Sequence, residues 1–403
     1  MVALLAPATT AVLELPALAV APGRLLPMPY LQAVTTDSIY VLVERDSKNP
    51  VTVEYGMDTS YGNTAVTESV EATTSEPATY VHNVKLTGLK PDTLYHYRVR
   101  QDGHSGAQQG GYSPDHTFTT AAEPGASFRF AWAADFRTGT SIHDAIAKRI
   151  KAANPRFLLY GGDLCLDGSY AAFKNEFFRP AEMALISEAP FFNATGNHEG
   201  WLQNTRAFTQ APAPNPDLRV PVSGTPASNS GDRGYYSFDY GDVHILVLNN
   251  QIPYTIGSPQ YNFAKSDLES AKKTWKIVVA HRHAYAAGGH GEDEGMKAMA
   301  AGIFEPNKVD MVIAGHSHFY QHNLVRGIHY LVIGSAGAPL YDPGTASYTL
   351  KSVKDYNYAV VDVTPTTLHM AVYNDRGMEL DSIYLAKQDP IDFAKLGARP
   401  DPR

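Results

Sequence analysis

The 403-residue sequence has a single cysteine, Cys165, so no disulfide within the chain holds the fold together. A chain of this length buries a large core without such staples, and the compartment is left open. Basic residues are also in short supply: 33 Lys and Arg against 41 Asp and Glu give a formal charge of −8. A protein gripping nucleic acid by bulk charge would show a basic excess, so nucleic acid is not expected as a partner. Long apolar runs are missing too. No stretch reaches the roughly 18 uninterrupted apolar residues of a membrane helix, so no membrane span is expected. The first 23 residues are apolar but carry Pro7, Glu14, Pro16 and Pro22, with no basic residue before Arg24. A secretory signal opens with positive charge, so residues 1–23 read as a tail or a degraded leader.

What is present is ordinary globular material, 44% hydrophobic and 18% charged, long enough for two domains. Residues 24–121 read as all-β: Ser38–Val43, Val51–Tyr55, Val81–Leu86 and Leu94–Arg100 alternate β-branched or aromatic residues with polar ones. Asn49-Pro50, Gly56, Gly88 and Pro91-Asp92 punctuate them, which predicts a sandwich of about seven strands. Glu123-Pro124-Gly125 reads as a hinge. Beyond it, over 126–387, strands alternate with helices. Ser141 is placed to cap a helix with Ile142, Ala145, Ile146 and Ile150 on one face, stopped at Asn154-Pro155. Further helices are expected over 171–186, 263–273 and 293–303. Residues 202–235 are rich in Pro, Ser, Asn and Gly with little periodicity, the composition of a binding loop or lid. Residues 388–403 read as a C-terminal tail.

Five apolar runs end in residues able to bind a hard or borderline cation. FRFAWAAD ends in Asp135, RFLLYGGD in Asp163, and PFFNATGN in Asn197 with His198 following. WKIVVAH ends in His281, and DMVIAGHSH in His316 and His318. A lone Asp at a strand end is usually a helix cap, a Gly-Asn pair a turn, and a lone His a hydrogen-bonded structural residue. His-Ser-His is stronger, because an i, i+2 spacing puts both rings on one face of an extended segment. Ligands collect outside the carboxyl ends of strands in α/β sheets, so five such ends point to one shared site.

The order of these motifs (Asp, Gly-Asp, Gly-Asn-His-Glu, strand-end His, Gly-His-x-His) resembles the calcineurin-like metallophosphoesterase superfamily. PYLQAVTTDSI, YYSFDYGDVHILVLN, HRHAY and GHSHFYQH narrow this to its purple acid phosphatase-like branch, which has an N-terminal fibronectin type III-like module. LTGLKPDTLYHYRVR is similar to the late strands of such a module. The resemblance, over residues 28–387, implies an all-β sandwich followed by an α/β four-layer (αββα) metallophosphoesterase sandwich. It also implies that Asp163 bridges two metals, one completed by Asn197, His281 and His316 and the other by Asp135 and His318. The oxygen and nitrogen donors suit Fe, Mn, Zn or Co. The reaction implied is hydrolysis of phosphate mono- or diesters by a metal-held hydroxide, with His198 as general acid.

The sequence departs from that pattern twice. Arg137 stands two residues after the first Asp, where relatives have His or Gly, and Leu166 stands where purple acid phosphatases have a ligating Tyr. Either two ions bind and Arg137 clamps phosphate, or Arg137 partly replaces one ion, or it points away to a surface acid; one or two ions are therefore expected. With no tyrosinate ligand, no purple colour is expected even with iron. His283, Tyr285 and Tyr320 are further candidates for contacts with substrate, His283 also for catalysis. Cys165 reads as a buried apolar residue rather than a thiolate ligand, and Asp167 or Tyr170 as conceivable replacements for the missing Tyr. The rival readings are a binding or adhesion protein on a degenerate phosphatase scaffold, and a hydrolase of phosphonates or phosphotriesters. The resemblance favours an extracytoplasmic home over a cytoplasmic one. Oligomeric state is not legible.

Overall fold

The computed structural model describes residues 29–100, 111–211 and 234–387; the expected tails and most of the 202–235 loop lie outside them. Between Tyr30 and Thr119 it has eight strands, and the alternating segments named above supply four of them. They do not close into a free-standing sandwich. Thr52–Gly56, Asn63–Val66, Leu94–Val99 and His116–Thr119 form a four-stranded sheet. The other four, Tyr30–Gln32, Ser38–Arg45, Ser69–Ala72 and Tyr80–Thr87, make up one end of a ten-stranded sheet that continues into the second domain. The join is parallel pairing of Tyr30–Gln32 with Phe191–Asn193, with Gln32 opposite Phe191. Glu123-Pro124-Gly125 is thus a turn between parts that share backbone hydrogen bonds, not a free hinge.

Two sheets build the second domain. The rest of the ten-stranded sheet contains parallel Phe128–Ala133, Phe157–Tyr160 and Phe191–Asn193, flanked by antiparallel Tyr358–Val363. A seven-stranded sheet contains parallel Val243–Val247, Trp275–Ala280, Met311–Ala314 and Ile328–Ile333. Period-2 alternation then sorts the side chains into layers. Phe130, Trp132, Leu159, Ile277, Val279, Met311 and Ile313 face the space between the sheets. Ala131, Ala133, Leu158 and Tyr160 face the helices Thr140–Ala153 and Pro180–Ile186, while Val278, Ala280 and Val312 face Pro259–Ser270 and Glu294–Met299. This is the expected four-layer αββα architecture.

Details of the helices differ from the sequence reading. The helix expected over 171–186 is broken into Tyr170–Ala172, a wide turn at Phe173–Phe177, and Pro180–Ile186. Pro180 is the cause: its ring forces Arg179 into extended backbone (ψ 157) and is tolerated only in a helix's first turn. Ser141 does not cap its helix, which starts from Gly139 without a side-chain cap. Gln203–Phe208, inside the segment read as irregular, is a helix.

Candidate metal centre

The parallel strands of both sheets end along one edge, and the metal-ligand candidates stand within four residues of those ends. Three of them, Asp135 (φ 59°), Asp163 (φ 52°) and His316 (φ 70°), adopt left-handed backbone, a conformation that costs a non-glycine residue about 1–3 kcal/mol and persists where surroundings enforce it. The enforcement is visible: Asp135 N donates to Gly162 O at 3.0 Å, Phe136 N to Asp163 O at 2.9 Å, and Ala338 N to Asp135 O at 2.9 Å. Glycine lets the turns approach this closely. A Cβ on Gly196 would lie 2.1 Å from Asp163 N, and one on Gly315 would lie 2.3 Å from Asp135 Oδ2.

The centre has two unlike halves. In one, His281 Nδ1 is 2.8 Å from the Gly161 carbonyl, so that nitrogen carries the proton and Nε2 presents a lone pair. Facing it are Asn197 Oδ1 at 2.9 Å, His316 Nδ1 at 3.2 Å and Asp163 Oδ1 at 3.4 Å. Electron pairs converging at such distances call for a cation. Asp135, Asp163 and His281 also form a buried group whose ligand atoms lie within 4.8 Å of one another. In the other half, Arg137 turns inward and is 8% exposed. Its Nε donates to Asp163 Oδ2 at 3.3 Å and its Nη2 to His318 Nε2 at 3.1 Å. That removes the surface-pairing alternative for Arg137. His318 Nδ1 donates to Pro339 O at 2.7 Å. Asp135 Oδ2 accepts from His316 N at 3.0 Å, and its Oδ1 is buried without a hydrogen bond.

Burial raises the Asp135 pKa, and the Asp163 charge adds to the rise. Burial works the same way on Asp163, yet His281, His198 and Arg137 hold it below the usual carboxylate range. His316 is pushed down by burial and then by His281. His318 falls to about 4 through burial and then Arg137. These imidazoles are neutral, as metal ligands must be. His198 N donates to Asp163 Oδ1 at 3.0 Å, and its Nδ1 lies 2.6 Å from Leu166 O. Its Nε2 is 3.8 Å from Asp163 Oδ2, so the imidazole borders the centre.

Other candidates lie elsewhere. His283 is 3% exposed, with Nε2 2.8 Å from Ser317 Oγ and its pKa lowered to about 4 by burial and then by His281; it backs the site and offers substrate no surface. Tyr320 is fully buried between the sheets and donates to Asp381 Oδ2 at 2.7 Å. Tyr285 packs on Tyr330 and Tyr348, ring centroids 4.7 and 5.6 Å away, beside the helix-side cluster. Neither ring reaches the strand-end edge. Cys165 is buried, its thiol pKa pushed up by burial and then by Glu199, so it packs rather than ligates. Tyr170 donates to Glu44 at 2.7 Å and Asp167 accepts from Ser169 N at 3.0 Å; neither replaces the missing Tyr. Leu166 is 42% exposed and brings no donor.

Comparison with known families matches residues 128–320 to the calcineurin-like phosphoesterase family and residues 30–120 to the purple acid phosphatase N-terminal domain. The two matches follow one another along the chain. Purple acid phosphatase 21 of Arabidopsis thaliana is 32% identical over 251 residues, 60% of this chain and 53% of that protein. Purple acid phosphatase 1 of Ipomoea batatas is 26% identical over 290 residues, covering 67% and 57%. The chain thus spans a little over half the length of these relatives. The structure of purple acid phosphatase PPD1 from yellow lupin (Lupinus luteus) seeds aligns with a TM-score of 0.75 at 18% identity, covering 90% of this chain and 75% of that one.

Around the centre the structure adds three residues. His290 is exposed and stacks on His316, centroids 4.1 Å apart and planes at 18°. Tyr341 stacks on His318 at 4.1 Å and 23°. Glu199 is fully buried, and its Oε1 accepts from both Asp163 N at 3.1 Å and Gly196 N at 2.7 Å, tying two ligand loops together. Glu199 sat in plain view in the Gly-Asn-His-Glu motif. His290 and Tyr341 lie in glycine- and proline-containing loops that carried no periodic signal.

Proposed function

We propose that the protein is a metal-dependent phosphoesterase hydrolysing phosphate mono- or diesters at this centre. The observation that carries the reading is the set of opposed lone pairs on Asp163, Asn197, His281 and His316 beside His198. These residues would hold Fe, Mn, Zn or Co. When bound, such an ion supplies Lewis acidity and a water acidified enough to attack phosphorus. The chain's own groups do the rest. Asp163 and Asn197 would present oxygens to such an ion beside His281 Nε2. His198, its Nδ1 proton held by the Leu166 carbonyl, can present an Nε2 proton to the departing oxygen. Arg137 brings fixed positive charge into the cleft, and exposed His290 offers a ring nitrogen at its rim. Monoester and diester are both compatible with this charge. A phosphonate or phosphotriester substrate would use the same groups, and turnover of each compared with the phosphate esters separates them.

The test is turnover of p-nitrophenyl phosphate and bis(p-nitrophenyl) phosphate by metal-loaded and chelator-treated protein. Turnover should need metal, and His198→Ala should lower kcat by about 10²–10⁴-fold. Metal-loaded protein without turnover of either ester would favour a binding protein on this scaffold, the reading that the donorless Leu166 supports. We place the protein outside the cytoplasm because it resembles an exported branch; fractionation of the source cells would check this. No helix among the described residues is long and apolar enough to cross a membrane.

A further inference from the structure

The two halves of the centre differ in how their hydrogen-bonding capacity is used. On the His318 side, protons already on nitrogen use both ring nitrogens of His318 and Oδ2 of Asp163, while Asp135 Oδ1, 3.5 Å from His318 Nε2, stays without a hydrogen bond. His318 gives its Nδ1 proton to Pro339 O at 2.7 Å, and its free Nε2 accepts from Arg137 Nη2 at 3.1 Å. Arg137 Nε occupies Asp163 Oδ2 at 3.3 Å. A cation bound here would need both atoms and would have to expel a guanidinium whose side chain is 10% exposed. In return the site would add Asp135 Oδ1, while Leu166 contributes no donor. On the His281 side Asp163 Oδ1 accepts from His198 N at 3.0 Å, but the Nδ1 proton of His281 is committed to Gly161 O, and its Nε2 faces the oxygens of Asn197 and Asp163 at 2.9 and 3.4 Å without a proton of its own. Asp163 shows the division within one group, Oδ2 turned to Arg137 and Oδ1 to His281.

We propose that the guanidinium of Arg137 occupies the place of one cation of a two-ion centre, so that this chain holds a single metal ion, at Asp163, Asn197, His281 and His316. The inference rests on the phosphoesterase reading above. A guanidinium suits the role, since its planar fork reaches two acceptors at once and its charge is permanent. It supplies one positive charge where an ion would supply two or more, and it cannot exchange with solvent. Asp135 keeps one buried oxygen without a hydrogen bond, 3.5 Å from His318 Nε2, and lies in the group with Asp163 and His281, where its carboxylate would balance the charge of a bound ion. His318 then serves as a positioning residue that holds Arg137 rather than a metal ligand.

The experiment is metal content per chain by elemental analysis of the full-length protein, loaded with Mn or Zn and then desalted, with circular dichroism to verify folding of each variant. Wild type is expected to retain about one ion, the content of a single site with four protein ligands. His281→Ala should retain none. His318→Ala should stay at one, because it loosens only the arginine. Arg137→Ala frees Asp163 Oδ2 and His318 Nε2 and should gain a second, weaker ion, visible as an added phase in a calorimetric titration. Two tightly held ions in wild type, or a loss of one in His318→Ala, would overturn the proposal. A wild type that binds no ion would instead overturn the phosphoesterase reading itself, a distinguishable result.

Discussion

The amides of Asp163 and Gly196 both end on one oxygen of Glu199. Glu199→Ala leaves two buried donors unsatisfied, at about 1–3 kcal/mol each. Chemical denaturation should therefore show a clearly lower midpoint, whereas Glu199→Gln, which keeps the accepting oxygen, should stay close to wild type. His244 gives a second test at this scale. It sits between Asp239 and Asp267, 2.8 Å from each, with Lys273 3.7 Å from Asp239. Burial works to lower its pKa, but the two carboxylates raise it to about 9. Its folded pKa lies above the unfolded value of about 6.5, so the charged imidazole stabilises the fold fully below that value. The contribution, on the order of 3 kcal/mol, is lost as pH rises through about 9. His244→Gln should flatten the fall in melting temperature between pH 6.5 and 9; an unchanged profile would contradict this assignment.

At the scale of elements, the site is built from turns following strands, and that is why most of it could be read from sequence. Each candidate residue follows a local apolar run, so Asp135, Asp163, Asn197, His281, His316 and His318 are marked by neighbours in the chain. His290 and Tyr341 are not, since their only link to the site is stacking across loops. Tyr320 and Tyr285 were misplaced because resemblance gives a position in the chain but not the face its ring takes. Tyr320 went to the core with Asp381, and Tyr285 to Tyr330 and Tyr348. The break at Pro180 lies in the chemistry of the ring, which overrides the apolar periodicity on either side of it. The turn geometry also makes a prediction. Gly196→Ala drives a methyl into Asp163 N and Oδ1, 2.1 and 2.2 Å away. Metal affinity measured by calorimetry should fall by about 10–100-fold, the loss typical when ligand support is disturbed.

At the scale of the whole molecule the β-rich part followed by the αββα part is as the sequence implies, but the sheet they share is not legible there, because long-range strand pairing leaves no local trace. The all-β part and the four-layer domain share a sheet and one inter-sheet core running from Leu31 to Ile383. Tyr30 packs on Phe178 and Phe191 with centroids 5.3 and 5.9 Å away, Tyr97 donates to Ser187 O at 2.7 Å, and Asn204 and Thr74 exchange two hydrogen bonds of 2.8 Å. Thermal unfolding followed by calorimetry should accordingly show one transition for both parts; two well-separated transitions would refute the coupling. The join at Gln32 and Phe191 has a mechanical side. Phe191 lies six residues before Asn197 on the same short strand and loop. A tether or bound partner pulling on the N-terminal sheet therefore loads the backbone that aims Asn197 and His198, making the all-β part a handle on the reaction centre.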